Sequence, residues 1–473
     1  MMLVDALARV IAKAVRREDP FLAAAAYAAT GEEDRGRLEP ILLASYRLKR
    51  QFAEAPFTPP EVLRRLAGES DRKIRRKVAR HPATPPEVLR QLAREDACIE
   101  ILEAVARHRN APAAVLEGLP WRAHPGVRDA LCWNPRAPLA LLRALMEGAP
   151  LPARKGIASN PHADARLLAH LWASPDPYLR AQVAAHPNCP PAIMEAAERS
   201  PEPAVRRMVA ANPAASMQAL LRLLSDPAAE VRAAAVQGAS VSAEELSGLA
   251  ADPSSQVRRA EARRDALPAT VVERLSRDPD AWVRRWLGRN RCVPEPVLGR
   301  LAADREFEVR RAVSRNPSCT PALLNRLATD PVAWVRAGVA LRPDIPPEAL
   351  ARLSAEDDPD VASAIGRNPN TATGVLLRIA ASGNSDLRRA VILNRAAPRQ
   401  VLHTLREDPY PLNRVMLAEH PALTEEDLEN LTEDPDPHVR FAALRALIRR
   451  GQPQRPAAVA DDSSSTTNPE RES

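Results

Sequence analysis

The sequence repeats with a period of 26 residues, and a chain that repeats at this length must stack one small unit many times rather than close a single globular core. Aligned on a Val-Arg-like pair, the second member falls at Arg128, Arg154, Arg180, Arg206, Arg232, Arg258, Arg284, Arg310, Arg336, Ala362, Arg388, Arg414 and Arg440, every step being 26. Upstream, Lys49, Arg75 and Leu102 continue the series with steps of 26, 27 and 26. Sixteen units therefore cover about residues 43–448. Residues 1–42 are expected to form an N-terminal helical cap, with an amphipathic helix over 3–15, and the polar Pro/Ser/Thr-rich residues 449–473 a disordered tail. Contacts in such an array run between neighbours, so the 473 residues form one elongated body instead of several average domains.

The unit Asp304–Thr329 reads DREFEVRRAVSRNPSCTPALLNRLAT. Asp304 is expected at the start of a first helix, where a carboxylate accepts free N–H groups; Asp226, Asp252, Asp278 and Asp330 hold the same position. The prolines that follow, Pro227, Pro253, Pro279 and Pro331, suit a first helical turn. Val309, Val313 and Asn316 share one helix face, and Asn316-Pro317 stops the helix. A proline-led turn then opens a second helix carrying Leu324 and Leu327. The first of these leucine positions is apolar in every unit from Leu63 to Leu428, which marks the core seam. One such hairpin buries too few aliphatic groups to offset its own ordering, so stacking must supply the rest. The expected fold is an all-α superhelical solenoid. With 47 prolines against 16 glycines, and the prolines in register, proline here is punctuation between helices.

Much chemistry is excluded. The five cysteines have no C-x-x-C spacing, so neither a disulfide framework nor a zinc or iron–sulfur ligand set is expected. No apolar run approaches a membrane span and no signal-peptide pattern opens the chain, which points to the cytoplasm. There is no Gly-rich phosphate loop, His-Glu-x-x-His or nucleophile elbow, so no catalytic residue, cofactor or metal is expected. His81, His108, His186 and His420 occupy the slot held elsewhere by Asn134, Asn160, Asn212, Asn290, Asn316, Asn368 and Asn394. That interchange argues for backbone bonding at a turn over metal ligation.

The net charge of +7 comes mainly from arginine and concentrates on one ridge. The positions one and five after the aligned arginine lie on one helix face away from the seam, and three successive units are doubly basic there: Arg259/Arg263, Arg285/Arg289 and Arg311/Arg315. Trp282, Trp286 and Trp334 lie in or beside these units. Arginine with tryptophan suits an acidic peptide with aromatic anchors, or phosphates with stacked bases. A solvated arginine face that keeps the array soluble, with tryptophans packed between units, fits the same residues. The unit at Arg258 is irregular, with Glu261 at a seam position and Arg264 in the asparagine slot; pairing of the two at i and i+3 is the expectation, and a buried acidic site the alternative.

The string V-R-x-x-V-A-x-N-P-x-x-P-x-x-L-L-x-x-L-A-x-D-P, seen from Arg310 to Pro331 and from Arg206 to Pro227, resembles the leucine-rich repeat variant family. The resemblance implies a right-handed superhelix alternating α and 3-10 helices. Asp304 and Arg310, six apart, are similar to the Asp and Arg of HEAT repeats, implying a hydrogen-bond ladder along the stack; the same pairs recur as Asp226/Arg232, Asp252/Arg258, Asp278/Arg284, Asp330/Arg336, Asp408/Arg414 and Asp434/Arg440. Some members of the variant family carry an N-terminal cysteine cluster for an iron–sulfur centre, but residues 1–97 here hold no cysteine. The resulting expectation is a non-catalytic scaffold that recognises a protein partner. Nucleic acid is the alternative ligand, and an enzyme acting on nucleic acid from a HEAT-like scaffold a remote third.

Overall fold

The structure, a computed structural model, describes residues 46–54, 58–238 and 242–451. The expected N-terminal cap and residues 452–473 of the expected tail lie outside the described residues. The last described helix, Pro437–Gly451, runs three residues past the expected end of the array at 448.

Among the described residues every regular element is a helix. In the unit at Arg310 the first helix spans Phe307–Ser314 and the second Pro321–Leu327. First helices pack against first helices of adjacent units, and second helices against second helices, giving a continuous two-layer stack. Its core is the predicted seam: Val309, Val313, Leu324 and Leu327 are buried, as are their equivalents down the array, with Leu350 and Leu387 only partly covered.

Two expectations change. Both helices of each unit are α-helical, and 3-10 character is confined to i→i+3 bonds closing their ends, as from the Asp304 N–H to the Leu301 carbonyl at 3.2 Å. Asp304 does not cap the first helix. It lies two residues ahead of the cap residue Glu306 and accepts the Glu306 N–H at 2.9 Å. Capping falls instead on residues such as Asp280, which accepts the Trp282 N–H at 2.7 Å, and Asp358, which accepts those of Asp360 and Val361. Pro227, Pro253, Pro279 and Pro331 likewise precede the helix; first-turn prolines include Pro177, Pro203 and Pro359, and in second helices Pro86, Pro191 and Pro321.

Displacing Asp304 from the cap frees its carboxylate for the neighbouring unit. Arg284 Nε and Nη2 donate to Asp304 at 2.6 and 2.9 Å, while Arg284 Nη1 donates to the Asp278 carbonyl at 2.7 Å. Each arginine therefore grips its own unit's backbone and the next unit's carboxylate. The same double contact runs through Arg206–Asp226, Arg232–Asp252, Arg258–Asp278 and Arg310–Asp330, continues as Arg336–Glu356, and resumes at Arg388–Asp408 and Arg414–Asp434. Burial, the largest single influence, would raise the Asp226 and Asp252 carboxyls, but the forked arginine bonds, the Ala228 and Ser254 N–H groups and the charges of the flanking arginines together hold both below the ordinary range.

A second ladder runs beside it. Asn316 Nδ2 donates to the carbonyls of Gly288 and Asn290 at 2.8 and 2.9 Å, and its Oδ1 accepts the Ser318 N–H. Histidine substitutes for asparagine in this ladder, with His108 Nε2 bonding the His81 carbonyl at 2.8 Å while Nδ1 accepts the Asn110 N–H. The sequence expectation of a turn-bonding role is met, with the difference that the same side chains also bond between units.

Removing one partner of a buried forked pair strands the other, so Arg310→Ala is expected to cost about 3 kcal/mol. Arg310→Lys should recover little of it, because an ammonium cannot make the fork. In the second ladder, Asn316→His should keep stability near the parent's and Asn316→Asp, which replaces a donor by a charge, should not. Urea midpoints of the full chain, with hydrogen-exchange protection at units 284–341, read both series.

Candidate functional site

On the first helices, the ladder arginine points along the stack and its sequence neighbours point outward. The predicted ridge resolves into two rows. Arg259, Arg285 and Arg311 are half-buried; Arg263, Arg289 and Arg315, at the helix C-termini, are exposed. The inner row is braced. Arg259 pairs with Asp280 at 2.5 Å, Arg285 lies 4.4 Å over the Trp282 ring and Arg311 4.9 Å over Trp334. In the outer row Arg263 lies 4.8 Å over Trp286. Among the described residues, none of Arg263, Arg285, Arg289, Arg311 and Arg315 has a carboxylate within ion-pair distance. Burial, followed by the like charges of Arg311, Arg289 and Arg285, holds the Arg315 guanidinium below its ordinary pKa. These cations repel one another with no carboxylate close enough to pair with them.

The tryptophans divide. Trp282 and Trp334 are 50% and 47% exposed, whereas Trp286 is half-buried against the core. Trp334 is fixed from two sides: its Nε1 donates to Asp360 at 2.6 Å and Phe307 meets its ring edge-on at 6.1 Å. Sequence reasoning placed these rings near the ridge but gave no sign that arginines of the same chain cover their faces. Two open depressions flank Trp286. One, between units, is lined by Arg207, Gln237, Arg259, Arg263 and Trp286; the other by Arg263, Asp265, Trp286, Arg289 and Asn290.

The irregular unit is not an ion pair. Glu261 is fully buried and neither carboxylate oxygen has a hydrogen-bond partner. Arg264, expected to pair with it, instead fills the asparagine slot and donates to the Val236 carbonyl of the preceding unit. Arg342 does the same further on, donating to the Asn316 carbonyl. A long guanidinium in that slot reaches the backbone that a short amide would have met, which leaves Glu261 alone. Burial pushes its carboxyl up to about 8, against the opposing pull of Arg264 and Arg274. Glu261 lines neither depression, so it is a structural irregularity and not a group presented to a ligand.

His108 and His420 use both ring nitrogens on backbone, and burial lowers their pKa values. All five cysteines are free thiols; burial pushes Cys132 up to about 12 and Cys189 and Cys319 up to about 11. Among the described residues no group of His, Cys, Asp and Glu side chains could hold a metal ion, and no helix is long and apolar enough to cross a membrane.

The model of one repeat family, leucine rich repeat variant, matches residues 72–97 and 333–360. Those two stretches are similar to leucine-rich repeat variant units. A solved leucine-rich repeat variant, described as having a novel repetitive structural motif, is 28% identical over 47% of this chain and 88% of its own, with a TM-score of 0.35. Importin beta is 13% identical over 94% of this chain and 66% of its own, TM-score 0.24, and the Pds5–Scc1 complex 12% identical over 95% and 85%, TM-score 0.23. No curated protein matches the sequence. Both matched stretches fall outside the doubly basic units from Arg259 to Arg315.

Glu261 makes a pH prediction. Its folded pKa lies above the ordinary carboxyl value, so the stability its protonated form lends is complete below about pH 4.5 and is lost as pH rises through about 8. Glu261→Gln should remove that slope, gaining roughly 3 kcal/mol on the parent between acid and pH 7. Glu261→Val, matching Val313, should raise stability at every pH. Histidine titration is common to all three proteins, so differences in urea midpoint isolate Glu261.

Proposed function

We propose that this array is a non-catalytic scaffold that docks another protein along the arginine–tryptophan ridge of its central first helices. The observation that carries the reading is the contrast between two arginine sets on the same helices. Ladder arginines are buried or half-buried and each is forked onto a carboxylate, while the outer ridge arginines are exposed and have none within ion-pair distance. Of the outer row, Arg263 is held over the Trp286 ring and is ready to meet a carboxylate in a forked pair with little side-chain freedom left to lose.

What favours protein over single-stranded nucleic acid is the state of the rings. The bases of a single strand need open aromatic faces, and here Arg285, Arg263 and Arg311 lie over Trp282, Trp286 and Trp334.

The test compares the parent with a variant carrying Arg263→Glu, Arg289→Glu and Arg315→Glu. Affinity capture from a lysate is expected to lose a discrete set of proteins on substitution. A random DNA duplex should bind weakly and alike to both. A duplex affinity falling about a thousandfold between 50 and 200 mM salt and abolished by the substitutions would overturn the protein reading in favour of nucleic acid.

A further inference from the structure

We infer that the outer arginine row reads an acidic segment in polyproline II conformation, with one acidic residue at every third position. This rests on the protein-docking reading and specifies the partner's chemistry. Arg263, Arg289 and Arg315 occupy the same place in three successive units, at the C-terminal end of the first helix, and all are exposed.

The fold does not require a cation there. The equivalent position is Trp133, Ser159, Ala185, Ala211 and Glu419 in other units that pack in the same way. A general need to complement helix C-termini would place arginine in those units too. Among the described residues no carboxylate lies within ion-pair distance of Arg263, Arg289 or Arg315, whereas Asp280 is held by Arg259 and the Trp282 N–H, and Asp304 by Arg284. The outer row therefore presents three repeating positive charges to whatever lies along it.

Spacing selects the conformation of the ligand. Side-by-side helices sit about 9 Å apart, so equivalent side chains of successive units recur at about that interval. A polyproline II segment has three residues per turn and rises about 3.1 Å per residue, which returns the same face every ~9 Å. A β-extended segment returns a face every second residue, at about 6.6 Å, and slips out of step within two units. An α-helical ligand returns a face every ~5.4 Å. Only the polyproline form keeps register with all three arginines.

The row continues beyond them as Leu341, Arg367 and Leu393, with both leucines exposed (38% and 42%). The fourth position of the ligand should therefore be apolar. The motif is acid-x-x-acid-x-x-acid-x-x-apolar, with proline welcome at x because nothing in this geometry needs ligand N–H groups.

The experiment uses the full chain and fluorescein-labelled peptides read by anisotropy. One peptide is built of Glu-Pro-Pro triplets; two others hold the same number of glutamates at every second and every fourth position. The triplet peptide is expected to bind at least about tenfold tighter than either. Leu in place of its fourth Glu should strengthen binding further. Arg289→Ala should weaken the triplet peptide about tenfold or more and the re-spaced ones little, and circular dichroism verifies that the variant is folded. Equal affinities for all spacings would overturn the polyproline register while leaving an acidic protein ligand standing. Failure of every acidic peptide, with lysate capture still dependent on Arg263, Arg289 and Arg315, would overturn the acidic segment alone. Failure of the peptides, together with salt-steep duplex binding, would overturn the docking reading as well.

Discussion

A hairpin of two helices, each about two turns long, buries too little to order itself, so this array depends on what joins each hairpin to the next. The joint is the forked arginine. By gripping the carbonyl six residues behind and the carboxylate twenty residues ahead, Arg232, Arg258, Arg284 and Arg310 each tie two units together at a fixed offset. Aliphatic burial supplies most of the favourable free energy, but it is non-directional and would tolerate sliding; the planar fork does not. Where the carboxylate is missing the joint is visibly poorer. Gly148 stands in the aspartate place with φ +64°, a backbone that favours glycine, and Arg128, which would have used that aspartate, keeps a buried Nε without a partner. With Ser200 in the place, Arg180 turns to Glu202 instead.

The ladder is unbroken from Arg206 to Glu356, and the ridge lies on that stretch. This has a functional meaning. A ligand that contacts three units at once gains from each contact only if the units hold their spacing; fluctuation between them would be lost as ordering entropy on binding. Carboxylate-capped arginines on the inner side and unpaired arginines on the outer side are thus two parts of one arrangement. The first set fixes the interval and the second exposes it.

The period, the all-helical class, the seam and the residues of both ladders were legible in the sequence, because each depends on one residue type recurring at one position. What the sequence concealed was the direction of bonding. Asp304 and Arg310 are six apart and look like a pair, yet the carboxylate of Asp304 belongs to Arg284 and only its carbonyl to Arg310. Side-chain reach across a stack cannot be deduced from spacing along the chain. The aspartate also looked like a helix cap, since a cap and an Asx-type turn use the same carboxylate on the same kind of N–H; the helix starts later because the side chain is committed sideways. On the ridge, the outward face was legible and its division into braced and open rows was not. Arg285 and Arg289 are alike in sequence, and only the position of Trp282 separates them.

Glu261 shows the same limit from the other side. An acid three residues before an arginine on a helix reads as an ion pair, and that reading assumes the arginine has nothing better to do. Here Arg264 stands in a slot whose carbonyls ask for a donor, and a backbone acceptor inside the stack outcompetes a neighbouring carboxyl that can avoid its charge by keeping a proton. The preceding unit adds to the imbalance, since Gly238 occupies the same slot with no side chain to bond at all. Two successive slots thus depart from asparagine at the N-terminal margin of the ridge. The stack holds through them because the arginine–aspartate ladder continues past on Arg232 and Arg258, so a lapse in one ladder is bridged by the other.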